Sequence, residues 1–351
     1  MLSFFSDKNL IGLDIGTSTV KLVELEENKG KYTLKNIGIA KIPRETINNG
    51  VIINADPLVQ TIKSLLSSFK ITNKNAAVSV SGNNVIIKKI NLPIMTEDEL
   101  EPLIESESEQ FIPFDLDEVN IDFQILGVSE DNPEKMDVML VAAKKANVQD
   151  YLDALTTAGI KTKIIDIDVF AMENMFNINY THDADEICAL VDIGATITNI
   201  NIIKDNISIF NRDAPMGGNL ITEEIQKELF VSFEEAEMLK IGEVIEGVDR
   251  DLLEQTIRKT VSSIAREIQR TIDFFAGQSL IEISYIYLSG GTAKIHGLKE
   301  ILQEKISAQV HIVDPFQSIK YDKKVFDPEY MQDIAPLAAI GVGLALRKFG
   351  D

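Results

Sequence analysis

The chain has 351 residues, is 45% hydrophobic and carries a formal net charge of −21. That length and apolar content suffice for a large core divided between two or more domains. The charge excludes nucleic acid and anionic lipid as direct partners, since either would be repelled over most of the surface.

The acid concentrates at 97–109 and 223–246, which read as solvated helix faces. A single cysteine, Cys188, lies in the apolar run 187–191, so no internal disulfide can form and a reducing compartment is expected. His182, His296 and His311 lack the spacing of metal ligands. The stretch before Leu10 lacks the apolar core of a signal peptide, and the longest apolar run, 334–346, is too short to cross a bilayer. A cytoplasmic protein is expected.

In chain order, a strand from Leu10 reaches Asp14, turns through Gly16 and small hydroxyl residues, and returns as a β-branched strand over 20–25. A third strand over 32–42, a helix over 57–69 and a strand over 76–81 follow. The next segment alternates as a strand over 85–92, then a helix over 96–111 with Thr96 and Glu99 spaced as a capping box. Strands over 119–126 and 136–143, a helix over 148–158 ending at Gly159, and a strand over 161–166 complete it. This reads as a small α+β unit of residues 85–164 inserted into the first domain, which occupies 1–84 and is completed by 165–185 and 333–351.

The second domain, 186–332, opens as the first does, with strands over 187–192, 196–203 and 207–211. A helical subdomain of about 219–283 follows, with helices at 219–230, 233–241 and 252–278. A strand over 285–288 leads into Ser289-Gly290-Gly291-Thr292, a glycine pair expected to open another helix. The Ala- and Gly-rich run 334–346 is expected to be a helix packed tightly in an interdomain hinge.

The strongest signal is a phrase used twice: Leu13-Asp14-Ile15-Gly16-Thr17-Ser18-Thr19-Val20-Lys21 and Val191-Asp192-Ile193-Gly194-Ala195-Thr196-Ile197-Thr198-Asn199. Glycine removes the Cβ that would hold a phosphate away from the backbone, and Thr and Ser add donors beside the exposed N–H groups. Gly16, Thr17, Ser18, Gly194, Ala195 and Thr196 are therefore candidate phosphate contacts, and Lys21 either reaches a terminal phosphate from the first hairpin or points outward from its strand. Asp14 and Asp192 repel phosphate but suit a hydrated Mg²⁺ bridging to it.

These residues resemble the actin-like ATPase superfamily, which includes actin, chaperone ATPases, sugar kinases and FtsA. Its five nucleotide-site segments find counterparts in order: the two phosphate phrases, connecting helices at 168–176 and 334–346, and an adenosine segment at 286–298. The resemblance implies a duplicated, ribonuclease H-like α/β fold and ATP or ADP with Mg²⁺ as cofactor. It makes Gly217, Gly218 and Asn219 a phosphate- and sugar-facing glycine pair at a helix start. Glu237 and Lys240, three apart on one helix face, are implied at the ribose and base, and Gly290, Gly291 and Thr292 at the adenosine.

The position of the inserted unit selects the FtsA-like branch, and the phrase from Glu107 to Leu126 resembles the PilM family of type IV pilus assembly proteins in particular. Unlike in FtsA, no amphipathic anchor is expected after the last connecting helix. That resemblance implies an inner-membrane-platform scaffold of pilus assembly and twitching motility, peripheral at the membrane, which docks the N-terminal cytoplasmic tail of PilN beside the inserted unit. Residues 85–92 and 111–114 are candidates for that groove. It leaves motor ATPases of the platform as further partners and self-association open.

Superfamily ATPases place a Gln or Glu to orient the attacking water. The corresponding stretch, 142–149, has no acid and only a displaced Gln149, so binding with slow or absent hydrolysis is expected. The alternatives are an FtsA-like division ATPase and a small-molecule kinase, for which Asp166 and Asp168 are the nearest candidate bases.

Overall fold

In the computed structural model, which describes residues 9–107, 110–130, 132–183, 185–279 and 281–349, the first apolar run becomes β1 (Ile11–Ile15), buried along its whole length. Residues 1–8, where no signal peptide is expected, and two residues of the phrase resembling PilM, Ser108 and Glu109, lie outside the described residues. From β1 the chain turns into β2 (Thr19–Asn28) and then β3 (Lys31–Lys41), both antiparallel. A ribbon of β4 (Ile47–Asn48) and β5 (Val51–Ile52) leads to α1 (Ala55–Ser68), which starts ahead of Pro57 because the Asn54 side chain accepts the N–H of Asp56. β6 (Asn75–Val80) then pairs parallel to β1, a geometry that needs a crossover such as α1.

The inserted unit consists of β7 (Val85–Pro93), α2 (Glu97–Glu107), β8 (Val119–Val128) and β9 (Lys135–Lys144), its sheet ordered β7-β9-β8. Leu100 and Ile104 of α2 close its core against Ile90, Val138 and Leu140. The Thr96 N–H donates to the Glu99 carboxylate at 2.9 Å, which is one half of the expected box.

Two elements expected to close this unit belong to the first domain instead. β10 (Lys161–Ile167) pairs parallel with β6, giving the order β10-β6-β1-β2-β3. α3 (Lys145–Thr157) packs Tyr151, Ala154 and Leu155 against Leu58 and Ile62 of α1. The inserted unit therefore spans 85–144 rather than 85–164. An alternating strand pattern states which face is buried but not which sheet buries it, so the partner was not readable.

α4 (Asp168–Asn179) crosses to the second domain, where β11 (Cys188–Ile193), β12 (Thr198–Lys204) and β13 (Ile207–Ala214) repeat the antiparallel opening. α5 (Gly218–Leu229), α6 (Phe233–Lys240) and α7 (Arg250–Ser279) form the helical part. β14 (Tyr285–Ser289), α8 (Leu298–Lys305) and β15 (Gln309–Ile312) complete a sheet ordered β13-β12-β11-β14-β15. The two sheets share one plan: two antiparallel strands on one side of the first strand, two parallel ones on the other.

Gly291–Lys294 is a single 3-10 turn, so the helix expected at the glycine pair begins only at Leu298. The expected final helix is likewise divided into α9 (Pro328–Ile334), a 3-10 turn Ala335–Ala338 and α10 (Ala339–Ala345). Pro336 supplies no N–H to continue a helix from below. α10 lies directly on α4, and a Cβ at Gly343 would collide with the carbonyl oxygen of Ala171. Met172, Met175 and Phe176 of α4 share a core with Val23 and Ile37 of the first domain and Leu190 and Tyr287 of the second, so the hinge packs on both sheets.

Candidate functional site

The two Asp-Ile-Gly phrases form matching hairpin turns. Gly16 donates to the Thr19 carbonyl at 3.0 Å and Gly194 to the Ile197 carbonyl at 2.9 Å. Asp14 sits across from Lys21, and Asp192 across from Asn199, in the same register. The turns face one another closely enough for the Thr17 and Thr196 hydroxyls to hydrogen-bond at 3.0 Å.

Between them lies a cleft of about 260 Å³. Its walls include Asp14, Gly16, Thr17, Ser18 and Lys21 from the first phrase and Asp192, Gly194, Ala195 and Thr196 from the second. Gly218, Asn219, Glu237, Lys240, Gly290, Gly291 and Thr292 complete the set expected from the sequence. Gly217 stands behind this wall. A Cβ there would be 2.5 Å from the Gly194 oxygen, so it lets α5 approach the second turn, and the N–H groups of Gly218 and Asn219 donate to Gly194 and Ala195.

Charge is crowded in this cleft. The Lys21 ammonium is 3.1 Å from the Asp14 carboxylate. Desolvation alone would lower its pKa, but Asp14, Asp192 and Asp168 together outweigh that and hold it raised. Desolvation raises the Asp192 carboxyl, opposed by the Ser289 hydroxyl, which donates to it at 2.7 Å.

Asp168, placed by sequence reasoning only at the start of a connecting helix and among possible kinase bases, lines the cleft too. Surrounding protein and then the Asp14 charge push its carboxyl up to about 7, against hydrogen bonds from Ser79 and Ser81. Asp166 points elsewhere, held by Arg347 through contacts of 2.7 and 3.0 Å. The available signal was the strand-to-helix junction: β10 ends at Ile167, so two acids two residues apart leave the face they would share on a strand.

Toward the helical part, Lys240 donates to Glu237, to the Thr222 hydroxyl at 2.9 Å and to the Gly218 carbonyl at 3.4 Å. A complete capping box, Ser232 with Glu235, starts α6 and fixes the direction in which Glu237 and Lys240 project. Gly290 has φ of 84°, and a Cβ there would be 2.5 Å from the Ile193 oxygen, so this turn can pack on the second hairpin only as glycine. The Thr292 hydroxyl then donates to the Gly194 carbonyl at 2.9 Å.

A second cavity of about 510 Å³ adjoins the cleft, sharing Lys240, Ile241, Gly291, Ile295 and Leu337. Val244, Ile257 and Ile334 add to its largely apolar lining. A charged, donor-rich cleft opening into a larger apolar cavity suits a ligand with a phosphate end and a flat ring. Gln149 lies outside both, exposed on α3 and donating to Asp153 at 2.7 Å. Among the described residues, no helix is long and apolar enough to cross a membrane.

Comparison with known proteins places this geometry. A family model described as type IV pilus assembly protein PilM matches residues 12–349. A solved PilM–PilN type IV pilus biogenesis complex contains a chain that superposes with a TM-score of 0.86 at 28% identity, covering 97% of this chain and 98% of that one. The cell division protein FtsA of Neisseria meningitidis serogroup B is 25% identical over 373 residues, 93% of this chain and 89% of that protein. MreB 5 of Spiroplasma citri, solved with AMPPNP bound, shares the fold with a TM-score of 0.52 at 14% identity, covering 96% of this chain and 95% of that one.

Proposed function

The chain belongs to the PilM family and is an actin-like protein of type IV pilus assembly; on that premise we propose that it binds ATP, with Mg²⁺, between its two hairpins and serves as a nucleotide-gated scaffold for the tail of PilN. The observation that carries the reading is the pair of matching turns facing each other across one cleft, with Thr17 and Thr196 in contact and an apolar cavity alongside.

In this reading the N–H groups and hydroxyls of the two turns hold the β- and γ-phosphates from opposite sides, and Lys21 supplies the positive charge. Glu237 accepts from ribose hydroxyls, and the base lies in the cavity beside Lys240 and Ile295. The acids at the cleft offer only oxygen donors, which fits Mg²⁺. Among the described residues no three acidic, thiol or imidazole groups converge on a direct metal site, so Asp14 and Asp192 would hold the ion through its waters and the phosphate oxygens. Bound there, Mg²⁺ would neutralise phosphate charge that the carboxylates otherwise repel.

Hydrolysis is slow or absent in this account, because Gln149 is turned away from the cleft and bonded to Asp153. One observation favours a phosphotransferase instead: Asp168 lies in the cleft with its carboxyl near neutrality, as a general base requires. Its hydrogen bonds to Ser79 and Ser81 fit a structural role better, and FtsA-like division activity draws support only from relatives of about one-quarter identity.

For the partner, β7 is an edge strand of the inserted sheet, and an edge offers unpaired N–H and C=O groups to an extended peptide. The Phe111 and Phe114 rings lie near it, with the Lys88 ammonium 5.6 Å from the first and Lys144 4.6 Å from the second. Such docking would keep a cytoplasmic protein at the inner membrane. The test pairs calorimetry of Mg-ATP with binding of a labelled PilN tail peptide and a single-turnover hydrolysis assay. Nucleotide and peptide binding without appreciable turnover supports the reading, whereas rapid turnover without peptide binding contradicts it.

A further inference from the structure

The nucleotide cleft and the inserted unit meet at a short connector, Ser81-Gly82, between β6 and β7. On its far side a third cavity, of about 440 Å³, separates the root of β7 from β13 of the second domain. Ser81 and Asn199 line both this cavity and the cleft, so they form the wall between the two spaces.

That wall carries a chain of hydrogen bonds from one domain to the other. Asn199, across from Asp192 on the second hairpin, donates its side-chain N–H to the Asp213 carboxylate at 2.7 Å. The Gly82 N–H donates to the same carboxylate. Both donors are buried while Asp213 itself stands exposed at the lip of the cavity, so two buried N–H groups, one from each domain, depend on one acceptor. Ser81 is held on the other side by the Asp168 carboxylate. Gly82 has little room to slip past: a Cβ there would be 2.9 Å from the Asn49 oxygen and 3.3 Å from Ile197 Cδ1 in the second hairpin.

We infer that Asp213 is a positioning residue that couples the second hairpin to the inserted unit, so that seating a nucleotide in the cleft sets the position of β7. The inference rests on the nucleotide reading above and names the regulation of that site. A displaced second hairpin carries Asn199 with it, and Asp213 must follow or leave a buried donor unpaired. Gly82 is tied to the same carboxylate, and β7 begins three residues later. The open cavity beside β7 gives the strand space to move, which a packed interface would deny.

Hydrogen exchange on the full chain, with and without Mg-AMPPNP, tests this. In the wild type the nucleotide slows exchange at 82–92 by about ten-fold or more. Asp213→Ala keeps nucleotide affinity within about three-fold, because the residue does not line the cleft, yet removes that protection. Asp213→Asn, which retains an acceptor for one of the two donors, keeps part of it and serves if the alanine variant is unstable. Protection at 82–92 that persists undiminished in both variants overturns the coupling alone. A wild type that binds no nucleotide by calorimetry overturns the nucleotide reading and the coupling with it.

Discussion

The two hairpins share a backbone and differ in what faces their aspartates. In the first, Asp14 is opposed by the Lys21 ammonium at 3.1 Å. In the second, Asp192 is opposed by the neutral amide of Asn199, which turns away to Asp213. The serines near the ends of the parallel strands β6 and β14 diverge as well: Ser289 bonds Asp192 of its own half, while Ser79 bonds Asp168 at the hinge. Duplication thus kept the part that grips any phosphate, the glycine turn and its N–H groups, and freed the cross-strand positions for separate tasks. One half supplies charge, and the other connects the cleft to the inserted unit.

That contrast can be broken at several points, beginning with the largest expected effect. Gly290→Ala should cost about 3 kcal/mol, combining a positive φ with a backbone oxygen 2.5 Å from the new Cβ. Gly82→Ala, at a comparable φ but with its nearest obstacle at 2.9 Å, should cost about half as much. Denaturant titration ranks them, and equal costs would mean that Gly290 packs on the Ile193 backbone no more tightly than Gly82 packs on Asn49.

The charge asymmetry predicts that Lys21→Met weakens Mg-ATP binding by about 100-fold, while Asn199→Met weakens it by less than about five-fold. Calorimetry on both variants decides, and similar losses would erase the division of labour. Asp168→Asn should stabilise the nucleotide-free protein in a pH-dependent way. Its folded pKa is raised to about 7 from 3.8, so the folded carboxyl retains a proton that the unfolded one releases. The wild-type penalty is absent near pH 3, grows as pH rises toward 7 and is level above, reaching about 2 kcal/mol once its opening to the cleft is allowed for. A variant whose advantage does not grow between pH 4 and 7 would place Asp168 in solvent-like surroundings.

Much of this was legible because the turns require particular residues. Gly16 and Gly194 with their hydroxyl neighbours announce the hairpins locally, and the order of strands around them follows from repetition. What depends on distant partners was not legible. α3 and β10 have the alternation and periodicity of elements that either the inserted sheet or the first sheet could bury, and only the parallel pairing to β6 decides between them. Asp168 and Asp166 are equivalent candidates in the sequence, because no local pattern distinguishes the acid facing Ser79 from the acid facing Arg347. The capping and hinge breaks were readable in principle: Asn54 precedes α1 and Pro336 interrupts the last helix, each by local stereochemistry.

The central claim is that one nucleotide is held by both hairpins at once, and a crystal structure of the chain with Mg-AMPPNP tests it most directly. The account predicts phosphate oxygens within hydrogen-bond reach of the Gly16–Ser18 turn and the Gly194–Thr196 turn together, with the base in the cavity beside Lys240 and Ile295. A nucleotide bound to only one hairpin, or outside the cleft, would contradict it.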